Sequence, residues 1–277
     1  MKVAIIGLGL MGGSLGLCLK DNKFISTVYG YDIDTKNAKE ALKLGLIHEL
    51  IDFDIKILQK CDIVILAIPV NAIVDILPHF RSLPFDTTLI ELGSTKEKII
   101  SSVPNELKDH FIAAHPMTGT ENNGAKAAFK ELYKNAVCVL CDSEIASVIH
   151  RQRAVELFSH IGMKIIFMDS NSHDHHSAII SHLPHVISFA LANFVIKEED
   201  KKTIVHLAGG SFVGMSRIAK SSPEMWGGIL TQNKENILYS IDSFQKELNK
   251  CKEMIKNSDE KTLKQWMKEA NSLRKLL

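Results

Sequence analysis

The chain has 277 residues, 45% hydrophobic and 23% charged, and its 33 Lys and Arg against 32 Asp and Glu leave a formal net charge of +1. That length allows two packed units, and so balanced a charge, with no basic tract or nucleic-acid motif, argues against a polyanion as the main partner. Five scattered cysteines, an odd number, suit reduced thiols in the cytoplasm, and no stretch offers about 18 uninterrupted apolar residues to span a membrane.

Residues 2–6 (Lys-Val-Ala-Ile-Ile) predict a strand, and a helix carrying Leu15, Leu17 and Leu19 follows the turn Gly7-Leu8-Gly9-Leu10-Met11-Gly12. The uncharged stretch 3–19 could pass for a secretory signal, but its five glycines break any membrane-type run. Strand, glycine turn and helix together predict a dinucleotide site. Gly7 permits the tight turn, Gly9 lets backbone approach the pyrophosphate, and Gly12 lets helix and strand pack closely. Leu10 and Met11 open the helix whose N-terminus faces the phosphates. A second strand over 27–31 ends at Asp32, twenty residues beyond Gly12, where a carboxylate would accept from the adenosine ribose hydroxyls. Asp32 is equally a residue type that caps a following helix. No Lys or Arg lies between Tyr31 and Thr35, so a 2′-phosphate would meet like charge and NAD is preferred to NADP.

The alternation continues with a helix over 37–44, a strand over 63–68, a helix over 72–80 and a strand over 88–92, predicting a parallel sheet covered on both faces. Ile68 and Pro69 end one strand where a loop would pass the nicotinamide. Ser94 follows the next, either capping a helix or directing its hydroxyl at His115. His115 follows the apolar run 111–114 and precedes Pro116, which disfavours helix at the histidine and places it at a strand mouth. Ligands of open α/β sheets gather at that edge.

A helix over 124–132, a strand over 136–141, a helix over 144–161 and a last strand over 164–168 complete the first unit. Cys138 and Cys141 form a CxxC on a strand, where positions three apart face opposite sides, which disfavours a shared metal or disulfide. From residue 170 the pattern is helical, so the boundary falls at 169, giving units 1–169 and 170–277.

The second unit opens on a polar run, 169–176, followed by a helix reaching Val195 that is apolar nearly all round, which predicts burial on most sides. Pro184 should kink it. Five histidines fall within thirteen residues, yet His182 and His185 bring no carboxylate or cysteine at ligand spacing, so no metal is expected and a cleft-lining role is preferred. Gly209-Gly210 reads as a joint. Arg217 has a planar fork suited to a carboxylate, or to an interdomain ion pair, and Trp226 suits core or site. Ile237, Ile241, Phe244, Leu248, Cys251 and Ile255 form an apolar seam along one helix, for packing within the domain or across a dimer.

Taken in order, Gly7 to Gly12, Asp32, Leu92-Gly93-Ser94 with Lys96, His115-Pro116-Met117 with Gly119-Thr120-Glu121, Ser181-His182-Leu183-Pro184-His185, and Ser216-Arg217-Ile218-Ala219 with Met225-Trp226 closely resemble the prephenate dehydrogenase family over essentially the whole chain. The resemblance implies a Rossmann-type NAD-binding domain followed by an all-α dimerisation and substrate domain, and a homodimer. It implies oxidative decarboxylation of prephenate by NAD to 4-hydroxyphenylpyruvate, on the route to tyrosine. His115 would take the ring hydroxyl proton, Ser94 would orient it, Arg217 would bind a substrate carboxylate, His185, His182 and Trp226 would line the pocket, and Thr120 and Glu121 would stand at its entrance. Phe212-Val213-Gly214 and Gly227-Gly228 depart from the family pattern, which puts charged gating of the pocket in doubt. Arogenate dehydrogenase performs the same chemistry on an amino acid and is the nearest alternative, followed by a β-hydroxyacid dehydrogenase and a noncatalytic NAD-sensing module. With no regulatory domain after the helices, feedback by tyrosine would act near the active site.

Overall fold

A computed structural model describes residues 1–276. Eight strands, β1 (Lys2–Ile6), β2 (Thr27–Tyr31), β3 (Glu49–Leu50), β4 (Ile63–Leu66), β5 (Thr88–Glu91), β6 (Phe111–Pro116), β7 (Val137–Cys141) and β8 (Lys164–Met168), form one sheet in the order β3-β2-β1-β4-β5-β6-β7-β8. Helices α1 (Leu10–Lys20), α2 (Thr35–Lys43), α3 (Ile55–Leu58), α4 (Val70–Ile76), α5 (Glu97–Ser101) and α6 (Val148–His160) cover it. Successive strand residues point to opposite faces, so the central strands build two cores. Val3, Ile5, Ile63, Ile65 and Ile112 pack with Leu15, Leu19 and Phe158 on one face. Ala4, Ile6, Val64, Leu66 and Leu89 pack with Val70, Ile73 and Phe80 on the other. Each such aliphatic side chain contributes roughly 1.5–3 kcal/mol on burial, which outweighs the weak local preferences of strands this short.

The sheet is not parallel throughout. β7 runs antiparallel to β6, and β8 is parallel to β7. A parallel return needs a packed crossover, but residues 124–132, predicted as a helix, make two short 3-10 turns instead, Ala125–Ala127 and Lys130–Tyr133. That connection is held along α1 and α2 by hydrogen bonds that include Ala125 N to Asn37 Oδ1 (2.8 Å), Phe129 N to Ser14 Oγ (3.0 Å) and Tyr133 OH to Met11 O (2.7 Å), and it ends beside the carboxyl end of β6, where Pro116 pairs with Cys138. The strand leaving it therefore descends. Cys138 and Cys141 pack into opposite cores, as strand alternation requires.

After β8 the chain is helical: α7 (Ser170–Ser177), α8 (Leu183–Glu198), α9 (Lys201–Leu207), α10 (Gly210–Ser216), α11 (Pro223–Gln232), α12 (Lys234–Lys256) and α13 (Glu260–Asn271). The pair Gly209-Gly210, read as a joint, starts α10, with Gly209 as its N-cap. α7 and α8 join through a π-helical stretch, Ala178–His182, into a rod of 29 residues. The proline ring at 184 would crowd the carbonyl one turn earlier, and the widened turn accommodates it without ending the helix. The rod is long and apolar enough, by length and composition, to cross a bilayer, although serine, histidine and proline interrupt its apolar run. The burial predicted for it is not found within one chain: Ile180, Phe194 and Ile196 are 68%, 61% and 69% exposed. A single layer of short helices cannot cover both sides of so apolar a rod. α12 contacts α13, where Trp266 Nε1 donates to Glu247 (2.6 Å); of the seam on α12, Ile237 is buried, whereas Leu248 and Ile255 are exposed.

Candidate active site

The dinucleotide end is shaped by its glycines. Gly7 has φ +94°, and a Cβ there would lie 2.4 Å from the Ala67 carbonyl oxygen; at Gly12 it would lie 1.8 Å from that of Gly7. A Cβ at Gly9 would meet nothing within 4 Å. Gly9 is also the N-cap of α1 and provides no side-chain cap, so the first amide groups of an 11-residue helix are open to an anion. Ile68 sits under the turn, its Cγ2 2.7 Å from where a Cβ on Gly7 would be, and Pro69 is the N-cap of α4. Leu10 packs into the core and the Met11 carbonyl is taken by Tyr133, while the backbone N–H groups of both belong to the uncapped first turn of α1. The alternative role of Asp32 falls away, because Asp34 caps α2. Asp32 instead accepts from Leu8 N (2.9 Å), Asp34 N (2.9 Å) and Asn37 Nδ2 (2.7 Å), tying the glycine turn to the end of β2. A carboxylate offers about four acceptor sites, so one remains for a ribose hydroxyl. These residues fit a dinucleotide.

His115 stands near the carboxyl end of β6, 8% exposed. Its Nδ1 lies 2.8 Å from His173 Nε2, and His173 Nδ1 lies 2.8 Å from Asp174 Oδ1. The proton positions follow from chemistry. A carboxylate accepts, so His173 donates from Nδ1. Neutral His173 then accepts at Nε2, and His115 must be the donor in the middle bond. That leaves the lone pair of His115 on Nε2. Burial, followed by the nearby His173, Lys96 and His182, pushes the His115 pKa well below its ordinary 6.5. The imidazole is therefore a neutral base with a fixed tautomer at physiological pH.

Asp174 does more than hold His173. It also accepts from Lys96 N (2.8 Å) and Glu97 N (3.0 Å), so it caps α5 from the helical half. Ser94 is consequently not the cap, and it is not the partner of His115 Nδ1 either. It lies half-buried in the loop after β5, with its hydroxyl unpaired among the described residues. Lys96, fully buried, pairs with Glu91 and donates to the Ala114 carbonyl (2.7 Å), fastening β5 to β6 directly before the histidine. His173 and Asp174 were passed over in the sequence, where they looked like part of a polar, histidine-rich run. A His-Asp pair opening a helix was the only signal available.

Three of the expected pocket residues meet where α8, α11 and the π turn come together. His185 stacks on Trp226, centroids 3.7 Å apart at 24°, and His182 meets the same indole edge-on at 5.9 Å. His185 donates from Nδ1 to Ser181 O (3.0 Å), which leaves Nε2 as an acceptor. His182 accepts from Asn233 Nδ2 at 3.2 Å, so its proton is on Nε2, and burial takes its pKa down to about 4. His182 Nε2 and Trp226 Nε1 are buried with no partner among the described residues. Two such orphaned donors cost roughly 1–3 kcal/mol each unless an acceptor reaches them.

At the rim Arg217 donates to Glu121 (2.7 Å) across the two halves of the chain, with 55% of the arginine side chain exposed. The interdomain ion pair anticipated as one fate of Arg217 is thus present. Thr120 closes a local turn, its hydroxyl accepting from Asn122 N (3.2 Å). It lines an open cavity of about 510 Å³ together with Glu121, Asn122, Lys126 and Phe129.

Comparison with known proteins agrees with this geometry. Residues 15–167 match the family model described as prephenate dehydrogenase, nucleotide-binding domain, and residues 169–269 match prephenate dehydrogenase, dimerization domain. The prephenate dehydrogenase of Bacillus subtilis is 30% identical, aligned over 98% of this chain and 75% of its own. The cyclohexadienyl dehydrogenase of Zymomonas mobilis is 32% identical over 98% of this chain and 94% of its own. The crystal structure of prephenate dehydrogenase from A. aeolicus, in complex with hydroxyphenyl propionate and NAD+, superposes with a TM-score of 0.91 at 31% identity, covering 99% of this chain and 97% of that one. With both halves matched in order, and a glycine cradle and a buried base at the sheet edge, the chain belongs to the prephenate dehydrogenase family of NAD-dependent oxidoreductases.

Proposed function

We propose that this chain oxidatively decarboxylates prephenate to 4-hydroxyphenylpyruvate in tyrosine biosynthesis. The observation that carries the reading is the free Nε2 lone pair of His115, set by the chain of hydrogen bonds from Asp174 through His173. A bound nicotinamide supplies the hydride acceptor. His115 Nε2 takes the proton of the ring hydroxyl as hydride leaves the same carbon. The bond to the ring carboxylate then breaks, carbon dioxide departs, and its electron pair aromatises the ring. The phenolic oxygen recovers the proton from His115. Ser94, its hydroxyl unpaired among the described residues, orients the substrate hydroxyl toward that nitrogen.

Arg217 takes a substrate carboxylate in exchange for Glu121, and His182, His185 and Trp226 line the substrate pocket. The two orphaned donors, His182 Nε2 and Trp226 Nε1, favour a ligand rich in acceptor oxygens. Prephenate, with two carboxylates and a keto oxygen, suits them better than arogenate, whose ammonium group donates. Gly7, Gly9, Gly12 and Asp32, with the backbone at Leu10 and Met11 and the loop at Ile68 and Pro69, hold NAD. The division between the two units at residue 169 is supported by the last strand ending at Met168 and α7 starting at Ser170. A homodimer through the exposed face of α8 and a cytoplasmic location complete the reading. It is tested by following NADH formation with prephenate and with arogenate in parallel. A larger kcat/KM for arogenate overturns the substrate, and turnover of neither overturns the reaction.

A further inference from the structure

The corner between α11 and α12 presents two consecutive amides to opposite parts of the site. Asn233 donates to the Asp174 carbonyl (2.7 Å) and to His182, on the side of the base. Gln232 reaches the other way. Its Oε1 accepts from the Thr95 hydroxyl (2.7 Å) and its Nε2 donates to Asn71 Oδ1 (2.8 Å). Thr95 follows Ser94 in the loop after β5 and is fully buried. Asn71 lies in the first turn of α4, two residues after Pro69, which ends the loop after β4. β4 and β5 are neighbours, so one side chain from the helical half spans two adjacent strand-end loops. The span is short because α11 lies directly on α4 at Gly228. A Cβ there would come within 3.2 Å of Val70 and 3.3 Å of Asn71.

We propose that Gln232 is a positioning residue for hydride transfer, fixing the loop that passes the nicotinamide relative to the loop that carries Ser94. The inference rests on the reaction proposed above, in which hydride leaves a carbon whose hydroxyl is oriented by Ser94 while the acceptor ring lies beside the loop at Pro69. Those two loops set the distance between donor carbon and acceptor. Misplacement by about an ångström is enough to cost on the order of a hundredfold in rate, without contact with either reactant. Gln232 is half-buried and Asn71 exposed, so the clamp adds little to the core and its effect is read in turnover.

The test compares Gln232→Leu, which removes both hydrogen bonds at similar volume, with Gln232→Glu, which still accepts from Thr95 and lets the Asn71 amide turn to donate. For Gln232→Leu we expect kcat to fall about tenfold or more, with both KM values within about threefold and the thermal midpoint nearly unchanged. Gln232→Glu should stay close to wild type. Thr95→Val should lower kcat similarly and add nothing in combination with Gln232→Leu. A readout independent of turnover is the fluorescence of bound NADH, whose emission at saturation should change in Gln232→Leu and not in Gln232→Glu. Unchanged kcat and emission in Gln232→Leu would overturn the proposal, as would equal impairment of both variants in step with a lowered thermal midpoint. If wild type turns over neither prephenate nor arogenate, the reaction itself is wrong, and NADH emission alone decides the clamp.

Discussion

Replacing Asp174 by Asn changes one atom and should disable the base without touching it. Asp174 Oδ1 accepts from both His173 Nδ1 and Lys96 N at 2.8 Å, and Oδ2 accepts from Glu97 N at 3.0 Å. An amide has one oxygen for these three donors. If that oxygen stays toward His173, the NH2 opposes the Glu97 N–H, and a hydrogen bond to a charged acceptor worth roughly 1.5–3 kcal/mol is lost at the start of α5. If the amide turns, its NH2 faces His173, which must then accept at Nδ1 and donate from Nε2. His115 Nδ1 becomes the acceptor, and its proton moves to Nε2, where the hydroxyl proton was to go. The contribution of a positioned base is about 10²- to 10⁴-fold, so with the amide turned Asp174→Asn should lower kcat within that range, and with it unturned the cost falls on the melting midpoint. NAD affinity should hold, since the glycine turn and Asp32 lie apart from this chain of hydrogen bonds. NADH production gives kcat, NADH fluorescence gives the dissociation constant, and a melting curve checks the fold. A folded variant with kcat within about threefold of wild type and an unchanged melting midpoint would fit neither orientation and would refute the reasoning.

Because protonation removes the lone pair of His115, kcat/KM should rise with pH through an apparent pKa below 6.5 and stay level through neutrality; an acidic limb centred above 6.5 would contradict the burial that lowers it. Arg217→Ala should raise the substrate KM about tenfold with little change in kcat, a charged hydrogen bond discounted for the 55% exposure of its side chain, and an unchanged KM would mean that the carboxylate docks elsewhere. Two neighbouring glycines should separate folding from cofactor binding. Gly9→Ala, facing open space, should keep the thermal midpoint and raise the NAD KM, whereas Gly12→Ala, with its Cβ 1.8 Å from a carbonyl oxygen, should lower the melting temperature sharply even without NAD.

The glycine turn, Asp32 and the placing of His115 at a strand mouth were legible because each is a local matter. Turn chemistry, the apolar run of a buried strand and the effect of a proline on the residue before it all act within a few positions. Spacing could not tell whether Ser94 caps a helix or directs its hydroxyl at His115; the structure removes the cap and gives His115 Nδ1 another partner. The cap on α5 is Asp174 and the partner of Nδ1 is His173, 58 residues from His115. No periodicity encodes that meeting, which depends on how α7 docks across the ends of β5 and β6. The same holds for Lys96, which looks like a surface lysine until the sheet closes over its pairing with Glu91.

The apolar rod shows the limit from the other side. Its hydrophobicity reads as a demand for burial, but the chain alone leaves Ile180, Phe194 and Ile196 uncovered. Hydrophobicity states that a surface must be covered and not by what. Sequence alone therefore determined the main alternation of strands and helices, the glycine turn and the place of His115 at a strand end, because these follow from backbone sterics and the chemistry of adjacent side chains. Only the tertiary structure decided the direction of β7, the partners of Asp174 and the protonated nitrogen of His115, because these are settled by contacts between segments that chain order keeps far apart.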